Sequence, residues 1–207
     1  MLVIGLTGGI GMGKSAAAEH FARRGVPVFN ADACVHRLYE GEGVAEIEKA
    51  FPGVTHSGRV DRKLLAERVT GHPERLRQLE KIVHPLVVKA EIDFLREQER
   101  KGARLAVLEI PLLFETGAEK RVDVTVVLSA PSEVQRERVL KRPGMTVDKL
   151  EHLLARQLSD AARRARADYV VDSGATLADM QIEIDRLIES LKIRDGRVME
   201  RLRHSYT

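Results

Sequence analysis

Gly8-Gly9-Ile10-Gly11-Met12-Gly13-Lys14-Ser15 satisfies the pattern G-x-x-x-x-G-K-[ST], and each position answers a need of phosphate binding. The glycines allow backbone conformations that aim several N–H groups at phosphate oxygens. A helix beginning near Lys14 adds the positive end of its dipole. The Lys14 ammonium suits a bridge between the β- and γ-phosphates of a nucleotide, and the Ser15 hydroxyl suits Mg²⁺. The apolar run Leu2–Thr7 precedes the motif as a strand, and Ala16-Ala17-Ala18 continue it as a helix. Nucleotide binding through Gly8, Gly9, Ile10, Gly11, Met12, Gly13, Lys14, Ser15 and Ala16 is the first expectation.

A phosphate loop serves kinases, switch GTPases and motors alike. The guanine-reading Asn-Lys-x-Asp motif is absent, because the sole asparagine, Asn30, is followed by Ala31. At 207 residues the chain is also short for a nucleic-acid motor. Asp32 follows the second apolar run, at the rim where ligands of parallel sheets bind. A carboxylate there can orient an acceptor hydroxyl beside the γ-phosphate and take its proton late in a loose transfer. Asp is equally a favoured N-cap, so Asp32 could instead only cap a helix over Ala33–Glu40. Position alone leaves both open.

The net charge is +3, but residues 136–166 hold nine Lys or Arg against four Asp or Glu, so the basic character is local. A local patch suits a small anionic ligand better than a long nucleic acid. Aromatics are 4% with no tryptophan, which leaves few stacking platforms for single strands. Arg138 stands four residues before Arg142, the spacing of one helical face. Arg163, Arg164 and Arg166 read first as a solvated face, with phosphate contacts as the alternative. Glu109, ending the third strand, is either a water-mediated Mg²⁺ partner or a plain strand-end charge. The single cysteine, Cys34, precludes an intramolecular disulfide framework and reads as packing. No zinc pattern is formed by the seven histidines. The tail from Arg194 reads as a polar helical end without a task.

These groups must be positioned by an alternation of strands and helices. Leu2–Thr7, Val26–Phe29, Arg104–Ile110, Val122–Leu128 and Asp168–Val171 read as strands, and the alternation predicts a parallel sheet covered on both faces. Pro27 lacks an N–H to donate, which places the second strand at a sheet edge. Asp61–Thr70, Pro73–Ile82 and His84–Arg100 read as three consecutive helices, and Leu177, Met180, Ile184, Leu187, Ile188 and Leu191 mark an amphipathic one. The chain therefore divides into an α/β core of residues 1–31, 103–135 and 167–207, a helical insertion over 32–102, and a small excursion over 136–166 broken at Arg142-Pro143-Gly144. No apolar stretch is long enough to span a bilayer and no export leader is visible, so a cytoplasmic protein is expected.

Gly5-Leu6-Thr7-Gly8-Gly9-Ile10-Gly11, Gly13-Lys14-Ser15 and Ala31-Asp32 together resemble the bacterial dephospho-CoA kinase family. His84-Pro85-Leu86, Pro111-Leu112-Leu113-Phe114-Glu115, Gln157, and Ala167-Asp168 with Val170-Val171 extend the resemblance over about residues 1–175. It implies ATP and Mg²⁺, transfer of the γ-phosphoryl to the ribose 3′-hydroxyl of dephospho-CoA, a five-stranded parallel core, a helical CoA-binding insertion and a lid. It implies Asp32 as general base, His84 on the acceptor side at a helix start, Arg142 as a lid arginine on the ATP phosphates with Arg138 beside it, and Gly174 in a loop near adenine. The chain departs from the family at Asn30, where Asp is usual. It departs again at Pro143, where an acidic residue is common, and at Asp172-Ser173, which replaces an Asn-containing pair. A monomer or weak homo-oligomer is expected, with no nucleic-acid partner. The alternatives are a nucleoside or nucleoside-monophosphate kinase, and a phosphate-loop module that binds nucleic acid through its arginines.

Overall fold

In the computed structural model, residues 1–204 are described. The first strand, β1 (Leu2–Gly8), is buried at every position, as a strand with both faces covered must be. It leads through the glycine loop into α1 (Lys14–Arg23), then β2 (Val28–Asn30), α2 (Ala31–Leu38), α3 (Val44–Ala50), β3 (Thr55–His56), β4 (Arg59–Val60), α4 (Arg62–Val69) and the long α5 (Pro73–Arg100). Then come β5 (Leu105–Glu109), a 3₁₀ turn (Ala118–Arg121), β6 (Val124–Ser129), α6 (Ser132–Leu140), α7 (Val147–Ala155), α8 (Asp160–Arg166), β7 (Tyr169–Asp172), α9 (Leu177–Lys192) and α10 (Val198–His204). Two compact units result, Met1–Phe29 with Leu95–Thr207, and Asn30–Phe94.

The expected α/β class is borne out by a five-stranded sheet in the order β2-β5-β1-β6-β7. β1 pairs in parallel with β5 from Leu2↔Leu105 to Leu6↔Glu109, and with β6 from Ile4↔Val124 to Gly8↔Leu128. β2 lies at the edge, with Pro27 just before it offering only its carbonyl, to Val107 N at 2.9 Å. The core beside the sheet joins Leu2, Ile4 and Leu6 to Phe21 of α1 and to Ile184, Ile188 and Leu191 of α9. The tail has a task after all. Asp123 accepts backbone N–H groups from Val3, Arg197 and Val198, and Val198 and Met199 are buried.

The Asn30–Phe94 unit has its own small interior of Cys34, Leu38, Ile47, Phe51, Val54, Val60, Leu65, Leu79, Val83 and Val87. Two expectations fail here. The hairpin β3–β4, turned at Ser57 (φ 50°) and Gly58 (φ 74°), was not expected at all. The predicted pair of helices either side of Val83 is one helix, α5, with Pro85 inside it. An interior proline costs roughly 3 kcal/mol through its lost N–H and its ring clash. Leu79, Val83, Val87 and Leu95, buried before and after the proline, offset that cost and keep the helix continuous.

Candidate active site

The phosphate loop leaves the centre of the sheet at Gly8 and closes on itself, Met12 N donating to Gly9 O at 3.2 Å. Gly13 is the N-cap of α1 in the left-handed region (φ 79°, ψ 15°), a conformation that a side chain would strain. Without a cap side chain, the first N–H groups of α1 are left to a ligand. Lys14 Nζ folds back onto Gly8 O (2.8 Å) and Gly9 O (3.2 Å), so the ammonium is already held over the loop. Ser15 stands exposed on the first turn of α1, with Ala16 beside it. Glu109 is buried at the end of β5, in register with Leu6 of β1.

The turn after β7 comes against this loop. A side chain at Gly13 would meet Ser173 Cβ at 3.6 Å. Ser173 is buried, its N–H and hydroxyl both donating to Ser129 O. Asp172 accepts the Gly174 N–H at 2.7 Å, and Arg138 Nη2 donates to Ser173 O at 2.7 Å, so α6 and the Gly174 turn are tied together. Arg142 is exposed, and it does not share a helical face with Arg138. α6 ends at Leu140, and Arg142 lies in the turn beyond, where Gly144 takes φ 72°.

The arginines of residues 136–166 divide in a way the sequence does not announce. Arg136 pairs with Glu151, and Arg166 pairs with Glu119 at 2.7 Å while lying over Phe114. Arg164 lines a cavity of about 460 Å³ with Met12, Ser129 and Asp160. Arg163 is the correction: expected on a solvated face, it is 2% exposed. Its Nη2 donates to Glu115 Oε1 (3.0 Å) and Gln157 Oε1 (3.3 Å). Burial opposes ionisation of Glu115, but the Leu158 N–H and the Arg163 guanidinium outweigh it and hold the carboxyl below the usual carboxylate value. Gln157 and Gln135 in turn grip the loop, Ile10 N donating to Gln157 Oε1 at 3.2 Å and Gln135 Nε2 donating to Ile10 O at 2.8 Å. A lone glutamine on a helix gives no signal in a sequence, and Gln135 is missed for that reason.

In the Asn30–Phe94 unit, Asp32 is exposed at the second position of α2 and does not cap the helix. The cap is Asn30, whose Oδ1 accepts from Ala33 N at 2.7 Å. The departure at position 30 thus keeps a good N-cap, since Asn and Asp cap about equally well. His84 is exposed in the middle of α5, not at a helix start, because the helix runs on through Pro85. Burial pushes the Cys34 thiol up, ahead of the opposing charge of Arg37. Among the described residues no three His, Cys, Asp or Glu side chains gather as a metal site, and no helix is long and apolar enough to cross a membrane.

A family model described as dephospho-CoA kinase matches residues 2–179. A dephospho-CoA kinase of Brucella melitensis is 52% identical over 191 residues, covering 92% of this chain and 96% of the relative. A crystal structure from Thermus thermophilus superposes with a TM-score of 0.80 at 36% identity, covering 92% of this chain and 97% of that one. The dephospho-CoA kinase of Campylobacter jejuni, at 22% identity and a TM-score of 0.65 over 91% of this chain and 96% of its own, shares the fold.

Proposed function

Since this chain belongs to the dephospho-CoA kinase family, which phosphorylates dephospho-CoA with ATP in the last step of coenzyme A biosynthesis, we propose how its residues divide that work. Gly8 to Ala16 hold the triphosphate of ATP, and Lys14 exchanges the carbonyls of Gly8 and Gly9 for the β- and γ-phosphate oxygens. Arg138, Arg142 and Gly174 complete the ATP side, with Arg142 the one exposed and unfastened enough to follow a lid movement of residues 136–166. Asp32 and His84 serve the acceptor from the helical insertion, 32–102, which binds dephospho-CoA.

The new bond joins the ribose 3′ oxygen to the γ-phosphorus as the bond to the ADP oxygen breaks. Asp32 orients the hydroxyl and receives its proton late, since in a loose transition state the attacking oxygen keeps its proton until bond formation is well advanced. The observation that carries this role is the Asn30 cap, which relieves Asp32 of helix duty and leaves its carboxylate exposed beside the end of β2. Mg²⁺ suits a site of this composition, because it takes one or two protein oxygens and completes its shell with phosphate and water. Ser15 would hold it directly and Glu109 through water, and when bound it neutralises charge on the β- and γ-oxygens. A cytoplasmic monomer or weak homo-oligomer is the setting this reading assumes.

The test is a mass-resolved assay of ATP and Mg²⁺ with dephospho-CoA, adenosine and AMP competing as acceptors. Coenzyme A and ADP in equal amounts is the expected result. Phosphorylated adenosine or AMP would replace the acceptor, and ADP with free phosphate alone would remove the transfer.

A further inference from the structure

We infer that Arg163 is a positioning residue of the phosphate loop, acting through Gln157 on the peptide of Ile10. A single oxygen, Gln157 Oε1, accepts both Arg163 Nη2 at 3.3 Å and Ile10 N at 3.2 Å. An arginine has no acceptor and neither has a peptide N–H, so the glutamine must present its oxygen, not its NH₂, to both. Arg163 thereby fixes which way the Gln157 amide faces. Glu115 Oε1 holds the guanidinium in turn, accepting from Nη2 at 3.0 Å and from Leu158 N at 2.9 Å.

The loop also rests on this group directly. A Cβ at Gly9 would stand 3.1 Å from Arg163 Nη1 and 3.0 Å from Gln135 Nε2, so a side chain at the second glycine of the motif would crowd both groups. Gln135 on α6 takes the Ile10 carbonyl, and Gln157, just past α7, takes its N–H. Both backbone hydrogen-bonding groups of one loop residue are therefore set from outside the loop.

A guanidinium 2% exposed is a costly way to fill space, and apolar side chains of similar volume often replace buried ion pairs without loss of stability. The pair is also incompletely satisfied, since Arg163 Nε and Glu115 Oε2 are buried without a hydrogen-bond partner among the described residues. What the arrangement gives in return is direction: Ile10, and with it the turn presenting the inner N–H groups, is held in one orientation before the nucleotide arrives.

The inference rests on ATP occupying this loop, and steady-state kinetics of the full chain with ATP and dephospho-CoA test it. Arg163→Met should raise KM for ATP about tenfold and lower kcat, with KM for dephospho-CoA within about twofold of the parent. Gln157→Leu should move the ATP constant in the same direction, and Gln157→Glu, which keeps an acceptor oxygen, should recover most of the loss. Because the two residues act in series, the double variant Arg163→Met with Gln157→Leu should be no worse than the worse single one. An unchanged ATP KM in Arg163→Met, with only melting temperature and maximal rate reduced, would make the residue structural and overturn the inference. Should that variant fail to fold, the glutamine pair decides, and equal ATP constants for Gln157→Leu and Gln157→Glu overturn it. No coenzyme A from the parent chain would instead mark failure of the kinase reading itself.

Discussion

Ile10 in the phosphate loop is held at its carbonyl by the buried Gln135 and at its N–H by the part-buried Gln157, with Arg163 and Glu115 behind the latter. In the Asn30–Phe94 unit, Asp32 and His84 stand exposed on α2 and α5, while the faces that fix those helices are mostly apolar: Cys34 and Leu38 on one, and Leu79, Val83 and Val87 on the other, where Glu91 is buried as well. The first region holds its functional backbone through polar side chains. The second holds helices largely through packing and lets the side chains proposed for the acceptor project from them. Phosphate binding by main-chain N–H groups demands the former, because the backbone itself is the ligand-binding surface. A carboxylate that meets a mobile hydroxyl needs only a rigid base for its Cα.

That contrast can be broken by substitution. Asp32→Asn should lower kcat by roughly a thousandfold, the scale of a lost acid–base group, while KM for ATP and the melting temperature stay at parent values. Turnover equal to the parent would remove Asp32 from the chemistry. Asn30→Ala should cost about 1 kcal/mol through the lost cap, and Asn30→Asp only a few tenths, read as denaturant midpoints. A full cost in both would mean that position 30 does more than cap. The smallest effect tests the apolar interior of the helical unit. With its thiol buried and its pKa raised, Cys34 should stay unmodified by iodoacetamide at neutral pH and react only on unfolding. Labelling of the native chain would show that the surroundings of Cys34 open without global unfolding.

The sequence reveals the phosphate loop to the residue because its chemistry admits few alternatives at Gly13, Lys14 and Ser15. It reveals the five sheet strands to within two residues, and Pro27 locates the edge, because a missing N–H has few tolerable places. It reveals α5 as two helices rather than one, because local propensity at Pro85 is overridden by burial on both sides. The hairpin β3–β4 escapes because strands of two residues are too short to alternate, although Ser57-Gly58 was a turn signal. Arg163 escapes for a different reason. Residue type favours exposure for any arginine, and only the partners Glu115 and Gln157, distant in sequence, overturn that preference.

β1 lies at the middle of the sheet, and both its neighbours come late in the chain, β5 beginning at Leu105 and β6 at Val124. During synthesis β1 therefore precedes both of its partners and is paired on both sides only once β6 has been made. Its apolar segment, Leu-Val-Ile-Gly-Leu-Thr-Gly, must wait through the making of the whole helical unit, an exposure that slows folding and invites aggregation. A nascent chain stalled before Val124 carries a complete phosphate-binding motif on a strand that still lacks one of its two partners.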